Sequence, residues 1–249
     1  MILAIETATN VCATALISDG TIIAEHSLSE PHVHSEKLLS LIDDTLTSHI
    51  TYRTSLNGIA VSIGPGSFTG LRIGLSVAKG LCYAWNKPLV PVPTLQALAW
   101  NVLLDNIAQE NDFVLPMLDA RRSEAYVALY QKKGSELVEV HPVRAISVER
   151  CLELILGSQQ EGREYNSLPA NSGKVFVLGD ASTKFRDHLE HLESSVVHRI
   201  FLPAEQQQCR AASVGLVGEK MLVNGITADL ASLEPMYVKE FFTTAQIKN

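Results

Sequence analysis

Two short stretches of this 249-residue chain carry groups of the kind that handle phosphate. The first is Glu6-Thr7-Ala8-Thr9, an acid and two hydroxyls closing an apolar run, where a carboxylate could face a metal ion and hydroxyls a phosphate. Read alone, it is equally a polar β-turn. The second is Gly64-Pro65-Gly66-Ser67-Phe68-Thr69-Gly70, between a short apolar run and a helical pattern. Backbone N–H groups at such a helix start can hold an anion, although a strand-to-helix turn needs glycine in any case. It is not a Walker A loop, because Gly70 is followed by Leu71 and Arg72 where that motif needs Lys and then Ser or Thr. Glu6, Thr7, Thr9, Gly64, Gly66, Ser67 and Thr69 are therefore the candidate nucleotide or phosphate contacts.

Other reactive side chains give weaker patterns. His32 and His34 flank Val33 ahead of a helix and would bind metal only with a carboxylate from elsewhere, helix capping or packing being the plainer roles. His188 and His191 share a helix with Arg186, Asp187, Glu190 and Glu193, which reads as a solvated face. Asp119-Ala-Arg121-Arg122-Ser-Glu124 reads as local ion pairing at a turn. Cys12, Cys82, Cys151 and Cys209 are scattered without metal-ligand spacing, as expected of core thiols in a reducing compartment. Spacing alone supports no nucleophile–base pair or carboxylate dyad, so no catalytic residue and no metal site are assigned.

The elements that position these groups begin with strands over Met1 to Ile5, Cys12 to Ile17 and Thr21 to Leu28, with Asp19-Gly20 as a hairpin signal. Leu38, Leu39, Leu41, Ile42 and Leu46 then recur at helical spacing over Ser35 to Leu46. A strand over Gly58 to Ile63 leads into the glycine loop. Leu71, Leu75, Ala78, Cys82 and Trp85 mark a helix to Trp85, in which Gly74 and Gly80 imply close approach of another backbone, from this chain or from a partner. Pro88 to Val92 is a strand, and Thr94 to Leu104 a helix capped by Thr94. The order then restarts: strands over Phe113 to Leu118, Ala125 to Tyr130 and Leu137 to Val140, a helix over Ser147 to Leu156, a strand over Lys174 to Leu178, and helices over Lys184 to Leu192 and Ala211 to Val223. Gly157 to Gly173 reads as a long, mobile surface loop. These signals predict an α/β chain with lobes over residues 1–104 and 105–249, the last helix and tail packing back on the first lobe.

Composition is that of a folded domain, 46% hydrophobic and 19% charged. With no signal-peptide pattern at the start and no apolar run of the ~20 residues that a membrane helix needs, the expected place is the cytoplasm. A formal charge of -7 argues against strong autonomous grip on a phosphate backbone.

The run from Gly64 through Gly80, continued by Pro88-Leu-Val-Pro-Val-Pro-Thr-Leu-Gln-Ala-Leu98, closely resembles the TsaB (YeaZ) family. Ile5-Glu-Thr-Ala-Thr9, His34-Ser-Glu, Leu118-Asp-Ala-Arg121 and Glu234-Pro-Met-Tyr-Val238 extend the match along nearly the whole chain. The resemblance implies an actin-like ATPase (ASKHA, ribonuclease H-like) fold of two related lobes, in which Glu6 stands where the kinases of that fold usually carry Asp. It also implies a place in making threonylcarbamoyladenosine in transfer RNA: TsaC forms threonylcarbamoyl-adenylate, TsaD transfers the group to the adenosine beside the anticodon, TsaB pairs with TsaD, and TsaE is an accessory ATPase. TsaD-type relatives place two metal-binding histidines in His-x-x-x-His spacing where this chain has Thr94 and Leu98. Leu98 cannot ligate a metal, so independent catalysis, including the older metallopeptidase description of the superfamily, is not expected to transfer.

The resemblance further implies that the helices over Ser35 to Leu46 and Leu71 to Trp85 pack against their counterparts in TsaD. Leu38, Leu41, Ile42, Leu71, Leu75 and Ala78 are the candidate interface residues, and the same surface would make a homodimer of the isolated chain. Expected too are no tightly bound cofactor, ATP or ADP at the complex interface, and transfer RNA contact through the complex. A stand-alone ATP-dependent small-molecule kinase, with Glu6, Thr9 and the Gly64 to Gly70 loop around the phosphates, is the alternative.

Overall fold

The computed structural model describes residues 1–30, 33–48, 53–151, 159–160, 163–164, 174–191 and 199–239. Two five-stranded mixed sheets repeat one strand order. In the first, β1 (Ile2–Glu6) is central, β2 (Cys12–Ser18) and β3 (Thr21–Leu28) run antiparallel on one side, and β4 (Gly58–Ser62) and β5 (Leu89–Val92) run parallel on the other. In the second, β6 (Phe113–Asp119) is central, with β7 (Glu124–Lys133) and β8 (Glu136–Ser147) antiparallel on one side. After a two-residue ribbon of β9 (Gln159–Gln160) and β10 (Arg163–Glu164), β11 (Val175–Leu178) and β12 (Arg199–Phe201) complete the other side in parallel. This repeated order is the actin-like, ribonuclease H-like arrangement.

The helices make the layers around the sheets. On the outer face of the first sheet lie α1 (Val33–Thr47) and α2 (Phe68–Trp85), and between the two sheets lies α3 (Thr94–Leu104). The short α4 (Val148–Cys151), α5 (Asp180–Lys184) and α6 (Arg186–His191) cover the outer face of the second sheet, while α7 (Ala211–Val223) joins α3 in the middle. Because both faces of β1 are covered, all five of its residues are buried: Leu3 and Ile5 face α1 and α2, and Ile2 and Ala4 face the middle layer. The middle layer is interlocked, α3 packing on second-sheet strands and α7 on first-sheet strands.

Several expected elements differ in detail. Pro93, not Thr94, holds the cap position of α3, and the Thr94 hydroxyl accepts instead from the Gly64 N–H at 3.0 Å. The expected helix over Lys184 to Leu192 is two short helices, broken where buried Phe185 leaves helical geometry. Strand β8 continues past Val140 to Ser147, because its pairing with β7 survives two register shifts. β12 was not foreseen, three residues being too few to show a period. The ribbon β9–β10 falls within the loop expected over Gly157 to Gly173; the rest of that loop and the helix expected beyond Cys151 lie outside the described residues. Among the described residues, no helix is long and apolar enough to cross a membrane.

Candidate functional site

In each sheet the central strand and its parallel neighbour end at the same edge, so the turns after β1, β4, β6 and β11 converge between the lobes. Ligands of open α/β sheets bind at such carboxyl ends, where chain reversals leave a crevice. Here they enclose a cleft of about 650 Å³. Thr9, Gly66, Ser67 and Thr69 line it from the first lobe, and Asp119, Arg121 and Asp180 from the second.

The first-lobe wall is built by close packing of the two chemistry-bearing turns. Side-chain atoms added at Gly66 or Gly70 would fall on the carbonyls of Ala8 and Thr7, and one at Gly74 on the Thr7 hydroxyl. Only glycine permits that approach. Gly80, by contrast, faces open space. Packing this tight occupies the loop's donors: Ser67 N–H donates to the Ala8 carbonyl at 2.6 Å, Gly70 N–H to the Ser67 hydroxyl at 3.2 Å, and Gly64 N–H to Thr94. Ser67 thereby caps α2.

Glu6, Thr7 and Gly64 were expected at the phosphates, and the structure corrects this. All three are buried and none lines the cleft. The cause is the folding back of the β1–β2 turn onto α2, which seals Glu6 and Thr7 beneath it, while Met236 closes over Gly64 and donates its N–H to Ile63 at 2.7 Å. Burial pushes the Glu6 carboxyl up to about 7, against the hydrogen bonds from the Ala8 N–H and the Ser62 hydroxyl, which pull it down. Its Oε1 accepts the Ala8 N–H at 2.5 Å, while its Oε2 and the Thr7 hydroxyl are buried without a partner.

The second-lobe wall carries the charge. Asp180 accepts the Asp119 N–H at 2.8 Å, and burial raises its carboxyl above the ordinary range. Partial burial would raise Asp119 as well, but the Lys184 ammonium at 2.8 Å, the Arg121 N–H and the charges of both side chains hold it below. His34 also lines the cleft and donates from Nε2 to the Val11 carbonyl at 3.1 Å, and His32 lies outside the described residues. Among the described residues, no three His, Cys, Asp or Glu side chains gather as metal ligands. A metal-bound nucleotide does not fit this wall: the acid that should face the metal is sealed under its turn, and three of the loop's N–H groups are already engaged.

The six residues expected to face a partner are likewise corrected. Leu38, Leu41, Ile42, Leu71, Leu75 and Ala78 are all under 7% exposed, pointing into the chain's own core. Helical periodicity finds the buried stripe, and here that stripe packs on the first sheet. The outward faces of the same helices carry Leu39, 64% exposed, and Tyr83, 85% exposed. Thr94 and Leu98 are both fully buried, Leu98 in the layer between the sheets.

Fold and cleft together define an actin-like α/β protein of two interlocked lobes. A family model described as TsaD: tRNA N6-adenosine threonylcarbamoyltransferase matches residues 21–246, and the tRNA threonylcarbamoyladenosine biosynthesis protein TsaB of Escherichia coli is 42% identical over 96% of this chain and 94% of its own length. The chain belongs to the TsaB (YeaZ) family of tRNA threonylcarbamoyladenosine biosynthesis proteins, within that wider group. TsaB of Bacillus subtilis is 32% identical over 62% of this chain and 65% of its own length. A Pseudomonas aeruginosa structure described as similar to peptidase YEAZ has the same fold, with a TM-score of 0.76 and 23% identity over 96% of this chain and 99% of that one.

Proposed function

We propose that this chain is a non-catalytic subunit that pairs with TsaD and activates threonylcarbamoyl transfer to the adenosine beside the anticodon of transfer RNA. The observation that supports it best is the outward face of α1 and α2. Small residues Ser76, Gly80 and Ala84 recur four apart on α2, with nothing near Gly80, and exposed Tyr83 and Leu39 flank them. Such a face suits a helix–helix contact, since small residues let backbones approach and large ones fill the margins. The same face would support self-association of the isolated chain. Thr94 and Leu98, standing in place of metal-binding histidines and buried among core residues, support the absence of independent catalysis. Nucleotide acts, on this reading, at the complex with TsaD and the accessory ATPase TsaE, and the complex works in the cytoplasm.

Purified chain is expected to co-elute with TsaD, and transfer to transfer RNA by TsaC, TsaD and TsaE to stop when it is left out. Leu39→Asp with Tyr83→Asp should abolish co-elution while the melting temperature of the isolated chain holds, because both side chains are already solvated. Co-elution unchanged in that variant would remove the face from the proposal. Phosphoryl transfer by the chain alone would overturn the non-catalytic reading.

A further inference from the structure

Beside the cleft, and sharing Gly66, Phe68, Ala120, Arg121 and Tyr126 with it, lies a second pocket of about 500 Å³. Its walls bring together Phe68 from the start of α2, Arg121 and Arg122 from the β6–β7 turn, Tyr126 from β7, and Tyr237 and Lys239 from the tail. On a chain of formal charge -7, three cations and three aromatic rings thus meet around one opening, with Glu124 the acid among the lining residues. The rings are held in place. Arg72 stacks over Phe68 at 3.8 Å and donates to the Tyr237 hydroxyl at 3.0 Å, Phe68 and Tyr237 lie 5.4 Å apart, and the Lys239 ammonium sits 5.8 Å from the Tyr126 ring.

Arg121, Arg122 and Ser123 all have left-handed backbone, with φ of 66°, 52° and 59°. Three successive non-glycine residues in that region are strained. The turn is closed by the hydrogen bonds between Ala120 and Glu124 and from Glu124 to Arg121. Both guanidinium groups therefore stand at the tip, and the Arg121 side chain is 86% exposed although Asp119 is 3.6 Å away. Arginines that reach solvent beside partly exposed rings suit a ligand with alternating phosphates and flat bases, since guanidinium groups bind phosphate in a fork and every base offers a face for stacking.

We infer that this pocket takes an unpaired nucleotide of an RNA strand, its base against Phe68 and Tyr237 and its flanking phosphates on Arg121 and Arg122. The inference rests on the proposed pairing with TsaD, which would supply most of the affinity that an acidic chain lacks, and it adds a direct contact between this chain and the RNA. A strand is favoured over a free nucleotide because both arginines are exposed at the tip of the turn and can meet successive phosphates of a passing backbone.

The test uses the complex of the full chain with TsaD and an anticodon stem–loop RNA carrying 4-thiouridine in the loop. Photo-cross-links are expected on the peptides holding Arg121 to Tyr126 and Tyr237 to Lys239. Arg121→Glu with Arg122→Glu should weaken binding of that RNA about tenfold. It should also flatten the dependence of log affinity on log salt by about 1.4, as loss of two single-strand phosphate contacts requires. Arg121→Lys with Arg122→Lys should keep the slope. Co-elution with TsaD is scored separately; if it fails, the same cross-linking on the chain alone at low salt decides the pocket independently. Cross-links confined to other surfaces, an unchanged slope in the Glu variant that still melts normally, or displacement of the RNA by equimolar AMP would each overturn the inference, the last in favour of a mononucleotide site. Lys239→Glu, which puts a negative charge at the pocket wall, is the second variant should the hairpin substitutions fail to fold; a smaller loss of affinity in the same direction is expected, and unchanged affinity would count against the pocket.

Discussion

At the scale of single residues, Glu6 shows how far a motif can be read. Its type and its place after the first strand were legible, as was the glycine requirement of the Gly64 to Gly70 loop. That the two turns lock together was not, because the contact joins backbone atoms of segments some sixty residues apart and leaves no mark on either side-chain pattern. The lock has a titratable consequence. With a folded pKa of about 7 against an ordinary value of 4.5, Glu6 binds its proton more tightly when folded. Its contribution to stability is complete below about pH 4.5 and is lost as pH rises through 7. Urea titrations at pH 5 and pH 8 should show the wild type losing up to about 3 kcal/mol more than Glu6→Gln, which keeps the acceptor for the Ala8 N–H and cannot ionise. Equal pH dependence of the two proteins would show that Glu6 stays charged in the fold. Gly70→Ala should destabilise by about 1–3 kcal/mol without touching any functional group, since its methyl meets the Thr7 carbonyl.

Elements were the most legible scale, and their partners the least. Strand β3 and helix α7 have the bounds that the sequence pattern predicts, since period-2 and period-3.6 patterns arise where one side of an element is wet and the other dry. A pattern of that kind names the dry side without saying what dries it. For α1 and α2 the answer is the chain's own first sheet, so the residues with the strongest apolar period are structural and any partner meets the others. Neighbours in sequence should therefore behave oppositely. Leu38→Ala is expected to lower the stability of the isolated chain by about 2–4 kcal/mol through a core cavity, and Leu39→Ala to leave it within about 0.5 kcal/mol. Denaturant unfolding of both variants separates the cases, and a stability loss at Leu39 matching that at Leu38 would contradict the outward assignment of that face.

Over the whole molecule, the repeat of element order and the return of the last helix to the first lobe were legible, and the packing of α3 on the second sheet was not. The two halves share a strand order, yet α3, from the first half of the sequence, packs on the second sheet, and α7, from the end of the second half, packs on the first. Gly215 and Gly218 let α7 lie directly on Ile17, Ala4 and Ala60. Past α7 the chain stays on the first lobe, Ala228 pairing with Leu89 and the Lys79 ammonium holding the Leu233 carbonyl at 2.6 Å. It then crosses to the second lobe through Lys239, which donates to the Ala120 carbonyl at 2.7 Å and pairs with Glu124. Neither half can keep its middle layer if the other melts, so the lobes should unfold as one unit despite their separate sheets. Calorimetry should give a single transition whose van't Hoff and calorimetric enthalpies agree. Gly218→Val, which places branched carbons against Ala60, should lower that one transition as a whole. Were it to split off a low-temperature transition from the first lobe and leave a second near the wild-type position, the lobes would be independent and α7 a removable cover.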